Sequence, residues 1–223
     1  MALAALEPFN EHYPESDGKP MADNEPQLFL MFLLIAGFRH LFRERPDIHA
    51  TGNLFWYPVE GNARVVVAPD VMVIEGCTDV VMRSYRQWEH GGRPRLVIEI
   101  LSESNTPLEM LDKVDFYDRY GVDELMIADP DTGEFRVWER DGERLTSVLV
   151  PNGWTSPFTG VRFEAAGDKL LATGPDGTVW QPVDAILARA EQESARAEQE
   201  SARADRLAAE VADLRARLGD APA

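Results

Sequence analysis

RLVIEILSESNTPLEMLDKVDFYDRYGVDELMIA, residues 95–128, decides the fold class. Arg95 to Leu101 is a nearly continuous apolar run broken by one carboxylate, Glu99, and reads as a strand. From Thr106 to Tyr120 the period changes: Leu108, Leu111, Phe116 and Tyr120 recur at about helical spacing, and Gly121 supplies a C-terminal stop. Glu124 to Ala128 is a second apolar strand, ending at Asp129-Pro130. Strand, helix, strand in that order predicts a crossover packed on a mixed sheet, hence an α/β fold with a mixed central sheet flanked by helices.

On the N-terminal side, residues 1–22 are rich in proline, glycine and charge and read as an extended arm. Asp23 or Asn24 can cap a helix that tolerates Pro26 in its first turn and stops near Arg43, before Pro46. Its first half is apolar all round, which predicts packing against a sheet. From Asn53 the pattern turns to β. Leu54–Tyr57 and Arg64–Val67 flank Glu60-Gly61-Asn62, a predicted hairpin, and Val71–Ile74 continues the second run past Asp70. Residues 75–94 read as a loop.

On the C-terminal side, Phe135–Trp138 and Leu145–Val150 flank a turn at Asp141-Gly142, and residues 151–183 read as short strands and turns. Ala190-Glu-Gln-Glu-Ser-Ala-Arg then recurs identically from Ala197, and Leu207, Val211, Leu214 and Leu218 fall at coiled-coil spacing. Projected backwards, the same seam takes Ala204 and Ala197 but also Glu200 and Glu193, so two readings stay open: a solvated single helix with a short zipper, or an oligomerisation coil. The predicted organisation is an arm (1–22), a main domain (23–183) and a helical heptad-repeat tail (184–223).

With 223 residues the chain can bury a sizeable core. Its one cysteine, Cys77, excludes an intramolecular disulfide framework and points to a reducing, cytoplasmic location. The four histidines (His12, His40, His49, His90) form no zinc-ligand spacing with it. No basic n-region precedes an apolar stretch at the N-terminus, and the longest apolar run, Leu28–Phe38, is 11 residues, too short to span a bilayer. The net charge of −17 argues against a non-specific nucleic-acid coater but not against an enzyme gripping nucleic acid through local arginines. The only lysines are Lys19, Lys113 and Lys169; the other 19 of the 22 basic residues are arginine.

Two carboxylates interrupt apolar β-runs, Asp70 in Val65–Ile74 and Glu99 in Arg95–Leu101, and Lys113 follows on the next helix. An unpaired carboxylate within an apolar strand costs several kcal/mol, so each needs a cation, a lysine or a hydrogen-bond network. Two acids and a nearby ammonium can hold a hard divalent cation and activate water against a phosphodiester. The alternative is a structural ion pair of Lys113 with Asp112, Asp115 or Asp129. Arg83, Arg86, Arg93 and Arg95 are candidate phosphate contacts, or else a solvated set that balances nearby acids.

Pro69-Asp70-Val71, Val97–Ser102, Lys113 with Tyr117, and Tyr120–Glu124 with Asp129-Pro130 resemble the Uma-type restriction endonuclease family of the PD-(D/E)XK phosphodiesterase clan. Ser16–Met21, Arg83–Glu89 and the Glu/Ala/Arg-rich tail resemble a bacterial branch of it. The resemblance spans roughly residues 14–180. It implies a restriction-endonuclease-like core, with Asp70 and Glu99 as metal ligands and Lys113 as the catalytic lysine. The clan usually places its lysine two residues after the second acid; that position is Leu101 here, so the helix supplies the lysine. Asp23 is an extra ligand candidate. The expected activity is a Mg²⁺-dependent endonuclease, with Mn²⁺ as an alternative ion, DNA as the expected substrate and a second copy as a partner through the tail. The competing expectation is a catalytically silent scaffold with the same fold.

Overall fold

The computed structural model describes residues 13–16, 18, 22–77 and 81–219. The chain divides into two compact units, 1–180 and 181–223. In the first, helix α1 spans Glu25–Leu41; the Asn24 side chain accepts a hydrogen bond from the Gln27 N–H at 2.9 Å, the capping the sequence predicts. There follow β1 (Ile48–Thr51), β2 (Trp56–Tyr57), β3 (Val71–Glu75), β4 (Tyr85–Arg86), the one-turn α2 (Gln87–His90), β5 (Arg93–Ile100), α3 (Pro107–Arg119) and β6 (Glu124–Ala128). After these come β7 (Phe135–Asp141), β8 (Arg144–Val148), β9 (Trp154–Thr155), β10 (Arg162–Ala166) and β11 (Lys169–Thr173).

Six strands form the central sheet in the order β1-β3-β5-β6-β7-β8. β5 and β6 pair parallel, joined by α3, and every other neighbouring pair in this sheet is antiparallel. The predicted crossover on a mixed sheet is therefore the centre of the molecule. Thr106 caps α3 by accepting from the Glu109 N–H at 3.2 Å, and Gly121, at φ 79°, lets the chain turn left-handed where the helix stops.

Both faces of the sheet are covered. Val71, Val73, Leu96, Ile98, Ile100 and Met126 face α1 and the small β11-β10-β9 sheet, packing with Leu34, Phe38, Trp154 and Phe163. The alternate residues Met72, Ile74, Val97 and Leu125 pack with Trp56, Tyr85 and Tyr117. Alternation between two buried faces explains why these strands read as unbroken apolar runs. It also assigns Glu99, which shares parity with Val97, to the α3 side.

Several expectations need correction. The predicted hairpin is reduced to one antiparallel bridge, in which Trp56 and Val67 exchange backbone hydrogen bonds, and the strand pairing of β2 is parallel, with β4. Trp56 and Tyr57 are both fully buried, which a hairpin with one solvated face does not allow. The loop assigned to 75–94 contains β4 and α2, and β1 lies in a stretch with no strong β signal. Asp70 precedes β3 rather than interrupting a longer strand. α1 packs on the sheet through Gln27, Met31, Leu34 and Phe38, but Phe29 and Phe32 on its outer side are 59% and 48% exposed. Leu108 and Leu111 in the first turns of α3 also face outward.

The second unit contains α4, an uninterrupted helix over Val183–Gly219. Arg189–Glu193 and Arg196–Glu200 form i,i+4 ion pairs at 2.9 and 3.1 Å, each from the arginine that precedes a copy of the repeat to that copy's second glutamate. Among the described residues no helix is long and apolar enough to cross a membrane.

Glu124 opens β6 and is almost wholly buried; it accepts hydrogen bonds from the Ser156 hydroxyl and, at 2.6 Å, from the Phe158 N–H. Burial pushes its carboxyl up to about 7 against those two donors, which favour the charge. The folded chain therefore holds this proton more tightly than the unfolded chain. The associated stability is complete below the ordinary value of 4.5 and is lost as pH rises through about 7. Thermal denaturation of Glu124→Gln should show a flatter decline between about pH 5 and 8 than wild type, the wild-type loss being at most about 3 kcal/mol. Parallel curves for the two proteins would reject this account.

Candidate functional site

Glu99 stands next to last in β5, a buried carboxylate only 1% exposed at the sheet centre. Both of its oxygens have donors on α3. Lys113 Nζ lies 2.8 Å from Oε2, and the Tyr117 hydroxyl donates to Oε1. Lys113 and Tyr117 are four residues apart, so one helical face presents both donors to the strand. Trp56 stacks on the Tyr117 ring, with 3° between the planes, and so holds the phenol from its other side. Lys113 thus pairs with Glu99 rather than with Asp112, Asp115 or Asp129.

Asp70 comes to the same place from the start of β3. Its Oδ2 accepts from the Ile100 N–H at 2.7 Å, one residue beyond Glu99. Gly52, just past β1, allows this approach: a side chain there would put its Cβ 2.0 Å from the Asp70 carbonyl oxygen. Burial and then the neighbouring Glu99 carboxylate push Asp70 up to about 7, partly opposed by the Ile100 N–H and the Lys113 ammonium. Burial pulls the Lys113 ammonium down, but the charge and hydrogen bond of Glu99, with the Asp70 and Glu109 charges, together outweigh it and raise the pKa above the ordinary lysine value. Burial and Glu99 together raise the Tyr117 phenol well above its usual range, so it stays a donor. The structure therefore brings Asp70, Glu99 and Lys113 together, as the spacing predicts. It adds Tyr117, whose place one turn beyond Lys113 carries no sign of this role in the sequence.

The remaining candidates have other partners. Asp23 accepts hydrogen bonds from the Ser102 hydroxyl at 2.6 Å and from the Ser104 hydroxyl, so it anchors the loop after β5. Arg93 and Arg95 begin β5, four to six residues before Glu99, on the order of 13–20 Å along the strand. Both pair with Asp123, and Arg95 also with Glu75. Arg86 is buried against Glu89 and Ser84, and Arg83 pairs with Glu15 at 3.2 Å. These four guanidiniums are engaged with protein acids and are not gathered at Asp70 and Glu99.

A family model described as “Uma2: Putative restriction endonuclease” matches residues 18–168. The chain belongs to the Uma2 family. That membership gives its broad class, a nuclease with a restriction-endonuclease-like α/β core, a hydrolase acting on phosphodiester bonds. No curated protein matches the chain. Among solved structures it is similar to one from Anabaena variabilis, titled “a putative nuclease belonging to DUF820”; the two are 14% identical, with 64% of this chain and 79% of that chain covered and a TM-score of 0.47.

Whether these residues suit a metal depends on their donor atoms. Among the described residues no group of three or more His, Cys, Asp or Glu side chains converges to hold an ion. Asp70 and Glu99 are two hard oxygen donors, and two like charges in a buried place disfavour each other. A hard divalent cation that keeps several waters suits such a pair; zinc, which prefers nitrogen and sulfur, does not.

Removing the ammonium alone should leave Glu99 without its counter-charge. Urea denaturation of Lys113→Met should show a loss of about 3 kcal/mol, and adding Glu99→Gln should recover part of it. Additive losses in that double-mutant cycle would mean that the pair is not coupled.

Proposed function

We propose that this Uma2-family chain is a divalent-metal-dependent endonuclease acting on DNA, with Asp70 and Glu99 as metal ligands and Lys113 as the catalytic lysine. The single observation that supports the reading is the convergence of a strand-start acid, a strand-end acid and a helical ammonium at the end of β5. A divalent cation, Mg²⁺ or Mn²⁺, held by the two carboxylates supplies charge neutralisation for phosphoryl oxygens and acidifies a bound water.

The chain's own groups do the rest. Tyr117 and Lys113 hold the Glu99 carboxylate in one orientation, so it needs no reorganisation on binding. Lys113 is about one fifth exposed, which leaves its ammonium within reach of a phosphate oxygen while it keeps its bond to Glu99. Asp70 is half-buried, with Oδ2 accepting from the Ile100 N–H and its carboxyl against that of Glu99, so a cation can meet both acids at one place. The single cysteine, Cys77, fits a reducing cytoplasmic setting.

Calorimetric titration of Mg²⁺ and Mn²⁺, paired with plasmid nicking, tests this in wild type, Asp70→Asn and Glu99→Ala, with melting curves to check folding. Both substitutions should weaken metal binding and abolish detectable nicking. Undiminished nicking in both folded variants would remove the site. Absence of metal binding in wild type would favour the scaffold reading.

The tail carries a separate proposal, that α4 joins a second copy of the chain. The support is an uninterrupted helix whose sequence ends in Leu207, Val211, Leu214 and Leu218 at seam spacing. Sedimentation of the chain truncated after Val183 should give a smaller assembly than the full chain. The same oligomeric state in both would end the tail's role in assembly.

A further inference from the structure

The β3–β5 ladder ends, on the side of the site, at Val71 and Ile98. Ile100 lies two residues further on, with its N–H and C=O on the flank of β5 that β3 would otherwise occupy. Two side chains stand in for the missing strand. Asp70 accepts from the Ile100 N–H at 2.7 Å, and the Gln27 amide donates from Nε2 to the Ile100 carbonyl at 3.2 Å. The other end of Gln27 is also committed, since Oε1 accepts from the Asp23 N–H at 2.9 Å. Gln27 is 7% exposed, the one polar side chain on the buried stripe of α1. A buried amide satisfied at both ends fixes the groups it joins.

The first turn of α1 and the residue before its cap therefore grip the end of β5 twice. Gln27 holds the strand's last carbonyl, and the Asp23 carboxylate takes the Ser102 and Ser104 hydroxyls of the loop that follows. Ile100 links these contacts to the site. Its N–H orients Asp70, and the residue before it carries Glu99.

We propose that Gln27 is a positioning residue for the Asp70–Glu99 pair: it clamps the Ile100 peptide, and that peptide sets the two carboxylates relative to each other. The consequence for metal binding rests on the nuclease reading; the clamp itself does not. The amide bonds of Gln27 go to the Asp23 N–H and the Ile100 carbonyl, so its effect on the pair passes through the strand end.

The test compares full-length wild type, Gln27→Met and Leu34→Val. The first variant keeps side-chain length and removes both amide bonds. The second loosens the packing of α1 at a fully buried position without touching Ile100. Residue-resolved amide exchange, melting curves and Mg²⁺ calorimetry are read on all three. In Gln27→Met, Ile100 should lose protection while Val97 and Ile98 keep theirs, and the apparent Mg²⁺ dissociation constant should rise roughly tenfold, as for loss of an outer-shell support. Leu34→Val should lower the melting temperature and leave Ile100 exchange and Mg²⁺ affinity at wild-type values.

Unchanged Ile100 exchange in Gln27→Met overturns the clamp, whatever the metal does. Equal weakening of Mg²⁺ binding by Leu34→Val overturns the positioning role, because general loosening of α1 then suffices. A wild type that binds neither Mg²⁺ nor Mn²⁺ rejects the nuclease reading, and the Ile100 exchange still decides whether Gln27 clamps the strand.

Discussion

A carboxylate buried in the middle of a sheet is the constraint around which the rest is arranged. Left unpaired, Glu99 would cost several kcal/mol, comparable to a large share of a domain's net stability. Lys113 and Tyr117 compensate it only if α3 lies across β5 with one particular face inward. That requirement sets the rotation of α3, so Leu108 and Leu111 face outward although they are apolar. Trp56 then has to back the Tyr117 ring, which draws β2 into the second core and away from the hairpin its neighbours suggest. Hydrophobic burial supplies most of the driving force, but it is indifferent to helix rotation at this level of detail. The polar contact is directional and is not.

The central crossover was legible because its signals are local. Thr106, Pro107 and Gly121 cap and stop α3, and the apolar runs of β5 and β6 need no knowledge of their partners to read as strands. The long C-terminal helix was legible for the same reason. What failed were features decided by distant contacts. β1 and β4 are short, and pairing with β3 and β2 makes them strands. Trp56-Tyr57 carries ordinary β-forming residues, and only its complete burial on both sides shows that no solvated hairpin is possible.

The site divides in the same way. Asp70 and Glu99 were visible because a charge in an apolar run is anomalous within its own segment, and Lys113 because the chain has so few lysines. Tyr117 carries no such anomaly: an aromatic residue on a helix facing a sheet is ordinary until its hydroxyl is seen on Glu99. Gln27 is a single polar residue in an apolar helix, a weak version of the signal that marked the acids, and its partner Ile100 lies 73 residues away. For the four arginines, sequence shows a guanidinium but not the acid it meets. Arg93 and Arg95 are tied to Asp123, and Arg95 to Glu75 as well.

The disposition of charge bears on how such a chain approaches a polyanion. The tail from Ala190 carries eight acids against five arginines, a net of −3, which leaves −14 of the total −17 on residues 1–189. Long-range attraction to phosphate therefore cannot come from the surface as a whole. At the site, two carboxylates face one ammonium, so the cluster with both acids ionised is itself net negative. On the nuclease reading, a divalent cation reverses that sign where a phosphodiester must sit. Chemistry and substrate affinity then share one requirement, and an acidic protein would hold nucleic acid weakly everywhere except at the loaded site. The distant, acid-paired arginines are consistent with this division. Arg93 and Arg95 brace the far end of β5, away from Asp70, Glu99 and Lys113.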